Sequence, residues 1–208
     1  MKNISVFAGI LATVAGAALT GCAGQDSFTW DASENSIYVS DSLSVQSSLV
    51  YTSAQDNELY DADGLRAYVE EAVDAYNEAH GAADGTLPVT LVSCSLDGRT
   101  GSLTFAYADA ADYLAFAEET GDNTNTVIAL QVGTVADGLP DYTSFQTSSG
   151  KSASVSDIEK RSEYRLVIVD GSAAIFTEGK IAYVSEGVQI RHDHAVVTPE
   201  GSSCIVFR

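Results

Sequence analysis

The chain has 208 residues and carries 29 Asp and Glu against 10 Lys and Arg, a formal net charge of −19 with a sequence pI near 4.1. Nucleic-acid affinity comes largely from Lys and Arg on phosphates, so this balance argues against a nucleic-acid partner and against a polybasic membrane-surface patch. Hydrophobic residues make up 45% of the chain and the one long apolar stretch is N-terminal, which points to one or two folded domains rather than disorder or a polytopic membrane protein.

At the N-terminus, Lys2 is followed by an apolar, small-residue run over 4–18. That run is too short for a comfortable span of the ~30 Å hydrocarbon core and reads as an export signal. Leu19-Thr20-Gly21-Cys22 follows directly and resembles the lipobox of bacterial lipoproteins. The resemblance implies cleavage after Gly21 and attachment of a diacylglyceryl group, with palmitate-type chains, to Cys22. The mature protein would then be anchored in the cell membrane on its extracytoplasmic face. A conventional secretory signal peptide or an uncleaved anchor helix is the alternative.

Residues 22–35 read as a polar tether, with Trp30 either a contact to the folded part or an exposed binding aromatic. Residues 36–142 read as an acidic α+β module. Over 44–51 the pattern leans toward β, and Leu65, Tyr68, Val69, Ala72, Val73 and Tyr76 recur at helical spacing on one face. Asp61 and Asp63 suit the N-terminus of that helix, and Gly81 its end. Residues 89–96 and 102–107 flank Asp97-Gly98, a hairpin signal. Asp109 caps a second helix carrying Tyr113, Phe116 and Ala117 and ended by Gly121, and 126–132 is a further strand. In order this is β-α-β-β-α-β, the ferredoxin-like split βαβ pattern, a topology that hosts many unrelated functions.

Charge is unevenly distributed: residues 22–150 hold 21 acids against Arg66 and Arg99, whereas residues 151–208 hold 8 acids and 7 bases. The change coincides with residues 143–156, eight of which are Ser or Thr, expected as a linker or a long exposed loop. Beyond it, residues 157–208 contain short apolar runs at 163–169, 173–177, 180–184, 188–191, 194–198 and 203–207. They suggest a small all-β C-terminal module, a meander or a solenoid-like stack. The segment over 179–185 and the overall plan are similar to surface lipoproteins of Gram-positive anaerobes, a similarity that carries no functional residues across.

Motifs for nucleophilic or phosphate chemistry are missing from the sequence, and His80 reads as a complement to the C-terminal dipole of the first helix. His192 and His194 lie two apart, so on a strand they project from one face and offer two imidazoles to a zinc ion; a polar, solvent-facing turn is the alternative. Aligned on Gly64, Asp61, Asp63 and Glu70 fall at three oxygen-ligand positions of a calcium-binding EF-hand loop. Leu59 holds the first ligand position, however, and Arg66 a usually apolar one. Cys94 and Cys204 remain once Cys22 is assigned to lipid, either bridged as a disulfide or buried as free thiols.

Two functional classes follow. The first is a lipid-anchored, non-catalytic envelope protein that binds a ligand, or an unidentified protein or glycan partner. The second is an extracellular hydrolase acting on a glycan or cell-wall polymer through two carboxylates about 5–10 Å apart across a cleft, with aromatic walls drawn from the 10 Tyr and 7 Phe. A cleft with convergent carboxylates would favour the second, and its absence the first.

Overall fold

In the computed structural model, which describes residues 28–54, 61–81, 85–141 and 144–208, the chain is a mixed α/β protein dominated by strands in two sheets. Its first part runs β1 (Ser36–Val39), β2 (Val45–Thr52), α1 (Ala62–His80), β3 (Val89–Asp97), β4 (Thr100–Tyr107), α2 (Ala110–Glu119) and β5 (Ala129–Thr134). There follow β6 (Phe145–Thr147), β7 (Ser152–Ala153), the short helix α3 (Val155–Glu159), β8 (Arg165–Asp170), β9 (Ala174–Thr177), β10 (Ile181–Ser185), β11 (Gln189–His192), β12 (Ala195–Val197) and β13 (Ser202–Phe207). Among the described residues no helix is long and apolar enough to cross a membrane.

Local signals produce their elements directly. Asp61 caps α1 by accepting from the Gly64 N–H at 2.8 Å, and Val69, Val73 and Tyr76 are buried on the anticipated face. At the far end the Gly81 N–H returns to the Asn77 carbonyl at 2.8 Å. Asp109 caps α2 through the Ala111 and Asp112 N–H groups at 2.8 and 3.0 Å. The β3–β4 hairpin closes Asp97 against Thr100, with Gly98 at φ 56 in the first central position that a type II′ turn reserves for glycine.

The ferredoxin-like expectation needs correcting at its last strand. Both β2 and β3 pair antiparallel with β4, which lies between them, so β2-α1-β3-β4 forms the expected split unit. A ferredoxin-like sheet would then place β5 on the free edge of β2. That edge is taken by β1, in register from Ser36 opposite Ser48 to Val39 opposite Val45, while β5 pairs with β8 in the other sheet. The cause is local: a tight turn over 40–44, closed by the Ser40 hydroxyl on the Ser44 N–H and hydroxyl, folds β1 onto β2. Four residues of β1 are too few to stand out as a periodic run.

The division into modules at 143–156 is also redrawn. The first sheet runs β11-β12-β9-β1-β2-β4-β3 and the second β5-β8-β13-β10-β6-β7, so each combines strands from both sides of that stretch. The later strands therefore form neither a separate meander nor a stack. Residues 144–156 themselves build the β6–β7 hairpin and the cap of α3, with Phe145 buried and Ser154 accepting from the Asp157 N–H at 3.2 Å. Its hydroxyls bond locally, Thr147 to Ser149 and to the Lys151 N–H, and this explains how a polar composition serves ordered backbone.

One core spans the two sheets. Val167 and Val169 of β8 and Ile205 and Phe207 of β13 join Ile37, Val39, Val73 and Phe105, while the alternate residues Leu166, Cys204 and Val206 pack on the far side with Phe145 and Ile158. The outer face of the first sheet is covered by part of the expected tether. Trp30 stacks on Tyr38 with ring centroids 5.2 Å apart and donates to the Ser36 hydroxyl at 3.2 Å. Phe28 stacks on His194 at 4.4 Å, and Arg191 pairs with Glu34. Trp30 is thus a contact to the folded part. Cys22 lies outside the described residues.

Two outcomes are expected. Because β1 depends on β9 and β5 on β8, thermal unfolding of the whole chain should give one cooperative transition, with residues 36–142 alone failing to melt cooperatively; two separate transitions would restore independent modules. Trp30→Ala removes a stacked ring and a hydrogen bond and should cost about 1–3 kcal/mol by urea denaturation.

Candidate functional site

The helices and the first sheet do not close fully on one another. Between α1, α2 and the inner face of β1, β2 and β4 lies a cleft of about 680 Å³. Ile37, Leu49, Leu103 and Phe105 form its floor, Val69 and Tyr76 one wall, and Tyr113 and Phe116 the other. Ala72 and the exposed Ala75 on α1, Ala117 on α2 and Ser47 on β2 are small residues along the cleft, and their short side chains leave it open between the larger rings.

A strap over 121–127 shapes the rim. Gly121 turns the chain at φ 68 after α2, and the Asp122 carboxylate accepts from the Thr124 N–H and hydroxyl at 2.9 and 2.7 Å. Asn125 accepts from the Val127 N–H at 2.9 Å and from the Tyr113 hydroxyl at 3.0 Å. The Thr126 hydroxyl donates to the Ser172 carbonyl in the connection between β8 and β9. Beside it, a Cβ on Gly171 would approach the Thr126 carbonyl oxygen to 2.3 Å, so the strap seats only against glycine.

The interior polar groups satisfy one another. Tyr107 and Ser47 share a hydroxyl–hydroxyl bond of 2.8 Å. Burial pushes the Tyr107 and Tyr113 hydroxyls well above the usual phenol range, and Tyr76 rises through burial and then the nearby Asp112 carboxylate. Burial and Asp109 raise Asp112 in turn. At the mouth stand Tyr51 and Tyr68, 62% and 63% exposed. Of the acids, Glu119 and Asp122 line the cleft, and Glu119 also meets His80 Nε2 at 2.8 Å. No Lys, Arg or His is among the described lining residues.

The residues singled out by sequence lie elsewhere. Asp61 is committed to its cap, Asp63 sits in the exposed first turn of α1, and Glu70 pairs with Arg66 at 3.3 Å. The helix that begins at Ala62 takes up the span an EF-hand loop would need. His192 and His194 flank the β11–β12 turn: His192 Nδ1 accepts from the His194 N–H at 3.2 Å, and His194 Nδ1 lies 3.1 Å from the Thr177 carbonyl. Both rings belong to an aromatic group with Phe28 and Phe176. Among the described residues no three His, Cys, Asp or Glu side chains gather where a metal ion would sit. Cys94 and Cys204 are free thiols rather than a disulfide, the first half-buried on edge strand β3 and the second buried on β13 of the other sheet. Burial raises the Cys204 thiol to about 12.

No linear motif marks the cleft. The available signal was Ala72 and Ala75 set among Val69, Val73 and Tyr76 on α1, small residues on or beside a face otherwise carrying large ones. No protein-family model matches this chain, and no curated protein or solved structure matches it.

The buried tyrosines make stability pH-dependent. An unfolded phenol ionises near pH 10, whereas folded Tyr107 holds its proton higher, so above pH 10 the unfolded chain binds fewer protons and stability falls as pH rises. Tyr107→Phe should be less stable than wild type at pH 8, by loss of the Ser47 bond, and should lose stability less steeply between about pH 9 and 11. Urea midpoints across that range measure it. A residual slope is expected from Tyr113 and from Tyr38, which burial, Glu178 and Asp41 push up to about 12.

Proposed function

We propose that this chain is a lipid-anchored, extracytoplasmic binding module of the cell envelope, non-catalytic, whose ligand site is the cleft between the first sheet and the two helices. The cleft carries the reading: about 680 Å³, mostly apolar walls and a polar rim match the size and lining of small-ligand sites. The Leu19-Thr20-Gly21-Cys22 motif supports the anchor and the location, with the membrane as one partner through Cys22. The hydrolase alternative has less support. The two acids that line the cleft are already engaged, Glu119 with His80 and Asp122 with the strap.

Both parts are testable. The neutral dye N-phenyl-1-naphthylamine should brighten on binding the full chain, and Ala72→Phe, which fills the cleft from a half-buried helical position, should abolish the signal while leaving the far-ultraviolet circular dichroism unchanged. Equal brightening by both proteins would remove the cleft as the site. For the anchor, wild type should enter the detergent phase on Triton X-114 partitioning and Cys22→Ser should not, since a diacylglyceryl group supplies the two chains that stable anchoring takes.

A further inference from the structure

We infer that the cleft selects an organic cation, an ammonium group carrying an apolar body, over neutral or anionic ligands of the same shape. The inference rests on the reading of the cleft as a binding site and names the ligand class. Its first support is the sign of the lining: the carboxylates of Glu119, which also meets His80 outside the cleft, and Asp122, with no basic side chain among the described lining residues. This is more than the chain's general acidity, because bases do gather elsewhere. Arg161, Lys180 and Arg208 line a separate recess of about 310 Å³, where Lys180 meets Asp193 at 3.2 Å.

Aromatic faces are the second support. Tyr51 and Tyr68 flank the mouth with most of their surface in water, an arrangement that burial of a core would not produce. The ring quadrupole is negative on its face and attracts a cation within about 6 Å, more strongly where water is excluded. Third comes the field. The whole chain carries −19, and 21 of its 29 acids lie in residues 22–150, which supply most of the cleft. Low-dielectric walls focus such a field into a concavity and raise the local concentration of counter-ions there.

The interior fixes the rest of the ligand. Leu49, Leu103, Phe105 and Phe116 offer only apolar contact, and the Tyr107 and Tyr113 hydroxyls among the lining residues are already paired, with Ser47 and Asn125. A ligand that carried its polarity inward would leave those groups or its own unsatisfied. A cationic head at the mouth with an apolar tail inside meets each region with its complement. An anion would meet two carboxylates and the electron-rich ring faces.

The test compares three probes on one naphthylmethyl body by competition against N-phenyl-1-naphthylamine on the full chain: 1-naphthylmethyltrimethylammonium, its uncharged isostere 1-neopentylnaphthalene, and the smaller anion 1-naphthylacetate. The cation should bind at least about five-fold tighter than the isostere at low ionic strength, with naphthylacetate weakest, and its advantage should shrink as salt shortens the Debye length to about 8 Å near 0.15 M. Combining Tyr68→Ala with Glu119→Gln, both at exposed positions, should cut the cation-to-isostere ratio by half or more with the thermal midpoint little changed. A ratio below five-fold in wild type, a ratio unmoved by the double variant, or naphthylacetate equal to the cation would each overturn charge selection while the dye still reports the cleft. Failure of the dye itself to bind would overturn the proposed function, and this inference with it.

Discussion

The pairing of β1 on both its edges holds the architecture together. Its four residues run antiparallel to β2 on one side and parallel to β9 on the other, Ile37 opposite Ile175, and among the described residues this is the only link between β2-β4-β3 and β9-β12-β11 within the first sheet. Ile37 and Val39 are essentially inaccessible to solvent, so the strand contributes apolar burial and two ladders of backbone hydrogen bonds together. Once it is in place, β5 has no edge of β2 to join and completes its hydrogen bonding on β8.

The cleft follows from that constraint. One half of the long sheet is packed on the second sheet, through Ile175 and Val196 against Val167, Val169 and Ile205; the other half is packed on α1 and α2. Where the two coverings meet, over β1 and β2, small side chains leave space that neither fills. The strap over 121–127 crosses from α2 to the second sheet and is seated by Gly171 and by the bond from Thr126 to the Ser172 carbonyl, so the rim is built by the same junction that creates the gap.

The opposite face of the long sheet shows how polar and aromatic residues are spent on structure rather than chemistry. Phe28, Trp30, Tyr38 and Phe176 make a cover into which His192 and His194 are drawn as ring partners. The carboxylates of Asp61, Asp109, Asp122 and Asp137 are each committed to nearby backbone N–H groups; the Asp137 carboxyl is held below its usual range by the Thr134 N–H and hydroxyl. In an acidic chain, such local hydrogen bonding gives a carboxylate a structural role without any ligand.

What the sequence determined by itself is everything governed by neighbours a few residues apart: the Asp61 and Asp109 caps, the buried stripe Val69-Val73-Tyr76, the Gly98 turn of the β3–β4 hairpin and the strand-rich character of the C-terminal part. These depend on helical or strand period and on dihedral preference, which a linear pattern records. The partner of each strand edge, the union of residues on both sides of 143–156 in one core, and the cleft were decided only in three dimensions. A strand's edge carries the same N–H and C=O groups whatever its sequence, so pairing is chosen by which edge is free and which apolar face is still exposed when the chain returns. Likewise, alanine on a helix face is good packing beside a large neighbour and empty space beside another small one. Only the tertiary arrangement sets Ala72 and Ala75 over the gap above Ser47 and Leu49.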